Sequence, residues 1–358
     1  MIKKILISIL LLLTFASQGW ATTWYAGANC ASGTMSSCNW YSTQGSSCTN
    51  GTGPLTWNNQ VAGDTFNANG CVAIAVDVDP QGTGGSKGKV ILNTPAGGTF
   101  VVSTIAGNRT FTADLGVVGN TGTTTVLAVS GTNTYTLTIL GNIYGGGTAS
   151  AYGLSISGTT STIVIGANGS PVTIIGGSAA ACNGVYDSHT TGTSVTVYAN
   201  ITGGSNGTAR GYYQSAATGT ISFIGNVTGG ASEGIYLGQG GTATLTGNCI
   251  GSGSTGVAVG CRSTSGLLTV TGSLIWGGGG AAGNSAPICG NVQWTPVTPG
   301  SGTGSYIEVP TTTAVYVGLP DSSPATHILT SGYYINSTSG TGTAGGASAG
   351  GGGCSTGY

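Results

Sequence analysis

The sequence predicts an all-β fold: a single-stranded right-handed parallel β-helix, or β-solenoid, with a disulfide-rich N-terminal cap. Three observations carry this expectation. First, one pattern recurs along the middle of the chain: LTILGN at 137–142, VTVYAN at 195–200, ISFIGN at 221–226, ATLTGN at 243–248 and LTVTGS at 268–273. VTIIGG at 172–177 fits with Gly in the Asn place, and LGVVGN at 115–120 fits loosely. Second, each copy alternates apolar and polar residues with period two, the mark of a strand with one dry face. Third, 70 of the 358 residues are Gly and only 4% are charged, against about 25% in an ordinary soluble domain. Turns are therefore plentiful, and no 3.6-residue periodicity supports helices.

The Asn places fall at 120, 142, 177, 200, 226, 248 and 273. The long 142–177 interval is read as holding an inserted TIVIG segment at 162–166. A coil of about 24 residues cannot bury its own dry face, and stacked coils can. Counting back from the Asn, positions −5 and −3 are apolar throughout, as in Leu137 and Ile139, Val195 and Val197, Ile221 and Phe223. These should point inward. A β-sandwich also has many short strands, but its strands would not share one template position by position. Right-handedness follows from the handedness of parallel crossovers.

The remaining segments take their roles from this core. Residues 1–21 read as a secretory signal: Lys3 and Lys4, an apolar run at 5–16 and a small-x-small Gly19-Trp20-Ala21 site. That run is too short for a membrane span, which needs about 20 apolar residues. Residues 22–90 form the expected cap, with Trp24, Trp40, Trp57 and the disulfide candidates Cys30, Cys38, Cys48 and Cys71, whose pairing stays open. A cap would cover the exposed strand edges and open core of a solenoid end. Repeats occupy 91–289, and 290–336 is a second cap or small module. Residues 337–358 are a Gly/Ser/Thr-rich flexible tail. Cys249 and Cys261 are further disulfide candidates, and an exported chain meets an oxidising compartment. Nine Cys leave one over; Cys354, in the tail, is the natural one and allows self-association through an interchain bridge.

Charge excludes several functions. The formal net charge is −1, and loss of Lys3 and Lys4 with the leader lowers it by two. The few remaining basic residues make no nucleic-acid footprint and no polybasic membrane patch. Eight acids and two His leave little for a titrating active site. Asp77 and Asp79 share one face of an expected strand, but Ca²⁺ needs six to eight oxygens, so no metal is assigned. No cofactor is implied either. Asp187 and His189 read as loop neighbours; a cleft joining Asp187, Glu233 and a basic residue would mark an enzyme.

Two columns invite a structural or a binding role. Asn142, Asn200, Asn226 and Asn248 form a ladder suited to hydrogen bonding along the axis. A Gly column at Gly153, Gly184, Gly211, Gly234 and Gly256 precedes short apolar runs. The next residues (Val185, Tyr212, Ile235, Val257) should face inward. Those following then face outward: Tyr186, Tyr213 and Tyr236, ending at Ala258. Arg210 and Glu233 stand just before their Gly and should pair at the surface. Position −4 is hydroxylated in Thr138, Thr196, Ser222, Thr244 and Thr269, while −2 reads Leu140, Ile175, Tyr198, Ile224, Thr246 and Thr271. A two-column Thr array would span only two coils.

The repeat φ-Thr-φ-x-Gly-Asn-φ-x-Gly-Gly, followed by Gly-φ, resembles the parallel β-helix repeats of secreted bacterial adhesin-like proteins and phage-associated fibre proteins. The resemblance covers about residues 114–276. That fold hosts adhesins, lyases and structural fibres alike; with so few titrating groups, the expectation is a non-enzymatic protein, secreted or at the cell surface, active in adhesion or as a structural element. Its expected partners are surface glycans or other cell-surface components, met at Tyr186, Tyr213, Tyr236, Arg210 and Glu233. The alternative is a polysaccharide-processing β-helix, a lyase or glycosidase; the second alternative is an ice-binding surface protein.

Overall fold

The computed structural model describes residues 21–275 except 32, 56, 58, 72–73, 81–89, 94–99, 103–107, 118–126, 130–134, 148–151, 158–161, 190–193, 216–218 and 253–259. Beyond these it describes the backbone of 288–294, 307–309 and 335–337. Residues 1–20 of the expected signal segment, Gly256, Val257, Ala258 and residues 338–358 of the expected tail with Cys354 lie outside the described residues.

From Arg109 onward the described strands of each coil fall into three rows, and before it into two. The Thr face comprises Arg109–Phe111, Thr136–Ile139, Thr162–Ile165, the first half of Ser194–Thr202, Thr220–Ile224, Thr242–Thr246 and the second half of Cys261–Thr271. The Asn face follows the repeat's Asn. It runs from Thr23–Ala26 through Thr65–Asn67, Ile91–Asn93, Asp114–Leu115, Ile143–Tyr144 and Val172–Ile175. It continues through the second half of Ser194–Thr202, Val227–Thr228, Cys249–Ile250 and Leu274–Ile275. The Tyr face stacks Leu154–Ile156, Val185–Asp187, Tyr212–Gln214, Ile235–Leu237 and the first half of Cys261–Thr271, on Ile74–Ala75, Phe100–Val102 and Leu127–Val129. All these pairings are parallel, so the fold is an all-β parallel solenoid.

The −5 and −3 residues do fill the core: Leu137, Ile139, Val195, Val197, Ile221, Phe223, Ala243, Leu245, Leu268 and Val270 are all buried. Their burial removes apolar area from water at about 25 cal/mol per Å². The Gly before Asn226, Asn248 and Ser273 has its own cause, whereas Ala199 precedes Asn200. Gly225, Gly247 and Gly272 have φ of 136°, 147° and 152°. A Cβ on Gly225 would sit 2.1 Å from the Ala199 carbonyl oxygen, and one on Gly247 2.0 Å from that of Gly225. Only Gly lets successive coils approach this closely at the corner.

The Asn ladder carries hydrogen bonds from coil to coil. Asn226 N–H donates to Asn200 Oδ1 at 3.1 Å, Asn248 N–H to Asn226 Oδ1 at 3.1 Å, and Ser273 N–H to Asn248 Oδ1 at 3.0 Å. Below them Thr173 N–H donates to Asn142 Oδ1 at 2.9 Å, and Asn142 N–H to Asp114 Oδ1 at 2.8 Å. Each side chain thus satisfies a backbone donor at a corner where the sheet ladder changes direction.

Register corrects the template in two places. Thr162–Ile165 is no insertion: it pairs with Thr136–Ile139 and with Ser194–Val197 as the Thr-face strand of its coil. The extra residues are instead a small hairpin bridged at Ala167 and Ser170. Thr173, rather than Gly177, therefore stands opposite Asn200. Likewise Leu115 lies on the Asn face opposite Ile143, which puts Asp114 in the Asn column; Asn120 lies outside the described residues. Both errors arose from matching apolar runs whose neighbours belong to different faces.

The N-terminal region closes the stack. Trp40–Tyr41 pairs antiparallel with Thr23–Ala26, which ends the parallel ladder. Trp40 is buried edge-on against Phe66 at 4.9 Å, and its Nε1–H donates to Met35 O. Asp64, also buried, accepts from Thr22 N, Val61 N and Trp24 Nε1. Disulfides join Cys30 to Cys38 and Cys48 to Cys71, with a third from Cys249 to Cys261. Asp77 and Asp79 lie past the end of Ile74–Ala75 rather than in a strand. Asp77 accepts from Ser36 and Asp79 from Thr112.

Candidate binding face

The Tyr face inherits its chemistry from one register. Ser155, Tyr186, Tyr213, Tyr236 and Arg262 lie opposite one another on successive coils, so period two sends all of them outward. Tyr152, two residues before the Leu154–Ile156 strand, joins them: its ring stacks on Tyr186 at 4.4 Å with the planes 6° apart. Tyr186 meets Tyr213 edge-on at 5.8 Å, and Tyr213 stacks on Tyr236 at 5.4 Å. Four rings thus make one ladder, where the sequence pointed to three. Ser215 Oγ–H donates to Tyr186 Oη at 2.7 Å and fixes that ring's tip.

Tyr236 departs from expectation. It is buried, only 9% exposed, because two guanidiniums cover it: Arg210 Cζ lies 4.7 Å and Arg262 Cζ 4.8 Å from its ring centroid. Arg210 also lies 4.6 Å from the Tyr213 ring. Arg262 reaches this place because Gly260, not Gly256, leads the strand. Ile235 stands opposite Cys261 and Tyr236 opposite Arg262. Cys249 and Cys261, 12 positions apart, are joined by a disulfide, and the strand pairs from Cys261, beyond the Gly256 start that the sequence pattern predicts. Arg262 follows Tyr236 in the outward row, where the sequence predicts Ala258, and Cys289 stands opposite Arg262 on the next strand.

The Arg210–Glu233 pair is a second correction. It is buried, not a solvated surface pair, and it has a third member. Arg210 Nε–H donates to Glu233 Oε2 at 2.8 Å and Arg262 Nη1–H to Oε1 at 3.3 Å. Ser232 Oγ–H donates to Oε2 as well. Burial alone would push Glu233 upward, yet Arg210, the Ser232 hydroxyl and Arg262 overcome it and hold the carboxyl below its ordinary value. One carboxylate thereby locks two guanidiniums over the Tyr236 ring. The exposed part of the face is left to Tyr152, Tyr186 and Tyr213, each half-buried. Burial raises the Tyr213 phenol, and the Arg210 charge opposes that shift.

Asp187 and His189 are not loop neighbours on the surface but core residues, both fully buried. His189 Nδ1–H donates to Asp187 Oδ1 and Oδ2 at 2.6 and 2.7 Å, and Tyr212 Oη–H donates to Oδ2 at 2.6 Å. The Tyr212 phenol is pushed well above its ordinary value by burial and by the Asp187 charge. Asp187 looks into the solenoid and Glu233 lies under two guanidiniums, so the two carboxylates share no cleft. Across the corner from the Tyr ladder, Tyr144, Ile175, Thr202 and the glycine pairs at 176–177, 203–204 and 229–230 border a groove of 310 Å³. Among the described residues no three His, Cys, Asp or Glu converge as metal ligands.

Comparison of the chain with protein-family models, with curated proteins and with solved structures finds no match.

Proposed function

We propose that this chain is an exported, non-enzymatic β-solenoid that acts in adhesion or as an extracellular structural element and contacts glycans through its Tyr face. The observation that supports the reading is the continuous ladder of Tyr152, Tyr186 and Tyr213, ordered by stacked and edge-on ring contacts and flanked by the Arg210 guanidinium. Aromatic faces take up the apolar faces of sugar rings, and phenol and guanidinium groups hydrogen-bond their hydroxyls. Rings already held by neighbours lose little freedom on binding, which favours a weak, extended ligand. The three disulfides suit an oxidising compartment, in keeping with the signal-like leader. A glycan array probed with the chain from residue 22 onward tests the reading. Binding that Y186A/Y213A loses while keeping its β-sheet circular dichroism supports it; no binding by the wild type, or binding unchanged in the variant, overturns it.

A further inference from the structure

The Thr face carries a two-dimensional array of hydroxyls that the sequence template hid. One outward column reads Thr136, Thr162, Ser194, Thr220 and Thr242 on five successive coils. The second, two residues along, reads Thr138, Val164, Thr196, Ser222 and Thr244, and continues to Thr269. Over those five coils Val164 alone lacks a hydroxyl. Thr162, Ser194, Thr220 and Thr244 are exposed, and Thr136, Thr138, Thr196, Ser222 and Thr242 are half-buried. The second column expected at −2 is thus replaced by one at −6, and it spans five coils instead of two.

We propose that this face binds the surface of ice. Parallel strands set the hydroxyls about 4.8 Å apart between coils and about 6.6 Å apart along a strand. These two repeats are close to those of the water rows on a prism face of hexagonal ice. Thr offers a hydroxyl to bond such a row and a methyl to shed disordered water between rows. Its branched Cβ keeps χ1 in few rotamers, so the array is set before contact and loses little entropy on it. No charged side chain occupies either column from Thr136 to Thr244, so no strongly hydrated group interrupts the face.

Strand propensity favours Thr on any exposed strand position and so would enrich all three faces alike. It does not. The outward row of the Asn face reads Tyr144, Ile175, Thr202, Thr228 and Ile250, and that of the Tyr face reads Ser155, three Tyr and Arg262. The hydroxyls are concentrated where two strand positions per coil remain in register.

The test is adsorption of the fluorescently labelled chain, from residue 22 onward, to a single-crystal ice hemisphere, with thermal hysteresis read in parallel. The wild type is expected to enter the ice on defined planes and to shape growing crystals. S194K/T220K/T242K is expected to lose both effects with its circular dichroism unchanged, and Y186A/Y213A to keep both. Should the triple variant lose its β-sheet signal, T220K alone replaces it, with the same expected loss. Exclusion of the wild type from ice, or full ice binding by the folded lysine variant, overturns the proposal. Failure of glycan binding leaves it standing, because the two faces are altered separately.

Discussion

The Tyr face and the Thr face belong to the same coils and the same core, yet they are stabilised in different ways. On the Tyr face the side chains hold one another: ring stacks on ring, and a buried carboxylate pins two guanidiniums over Tyr236. On the Thr face the backbone ladder does the ordering; the two hydroxyl columns are short and neutral, with a bond from the Thr244 hydroxyl to Ser222 Oγ at 3.2 Å, and Tyr198 and Ile224 lie beside them. Of the two, the Tyr face should therefore be sensitive to single substitutions and to pH, and the Thr face tolerant of both.

The largest expected effect is at Glu233. Glu233→Ala strands two mostly buried guanidiniums, and loss of one partner from a buried pair costs about 3–5 kcal/mol. Urea unfolding followed by circular dichroism should show it, and a loss under about 1 kcal/mol would mean that the cluster behaves as a surface pair. The same group sets an acid limit. Because the folded value lies below the ordinary 4.5, the Glu233 contribution is complete above that value and disappears as pH falls through the folded value. Thermal midpoints measured from pH 6 downward should fall more for the wild type than for Glu233→Gln.

A corner substitution comes next. Gly225→Ala sets a Cβ against the Ala199 carbonyl at positive φ and should cost about 1–3 kcal/mol. Asn226→Ala removes the acceptor for Asn248 N–H and should cost about 1 kcal/mol. The smallest effect belongs to the Thr face, where Thr220→Lys should change stability by no more than about 0.5 kcal/mol. A larger loss there would erase the contrast between the faces.

The sequence revealed the stack, the inward −5 and −3 residues and the Asn ladder, because each is a local pattern repeated at one place in the template. It revealed Tyr186, Tyr213 and Tyr236 for the same reason. What it hid depended on loop length. Gly256 and Gly260 both precede apolar or cysteine residues, and nothing local says which one starts the strand; hence Arg262 was overlooked, and with it the burial of Glu233. The −6 hydroxyls at Thr136, Ser194, Thr220 and Thr242 were open to view, one step outside the six-residue window. Thr162 joins the column only through the observed register, because from sequence its segment reads as an insertion. Asp187 was hidden for a different reason: a carboxylate aimed into an apolar core runs against the alternation that identifies strands, and only its contacts with His189 and Tyr212 explain it.

One glycan array read on three proteins tests the division of labour directly: the wild type, Y186A/Y213A and S194K/T220K/T242K, each checked for an intact β-sheet spectrum. Binding by the wild type and the lysine variant, with loss confined to the tyrosine variant, is the predicted result. Equal binding by all three, or equal loss in both variants, would contradict the assignment of glycan contact to the Tyr face.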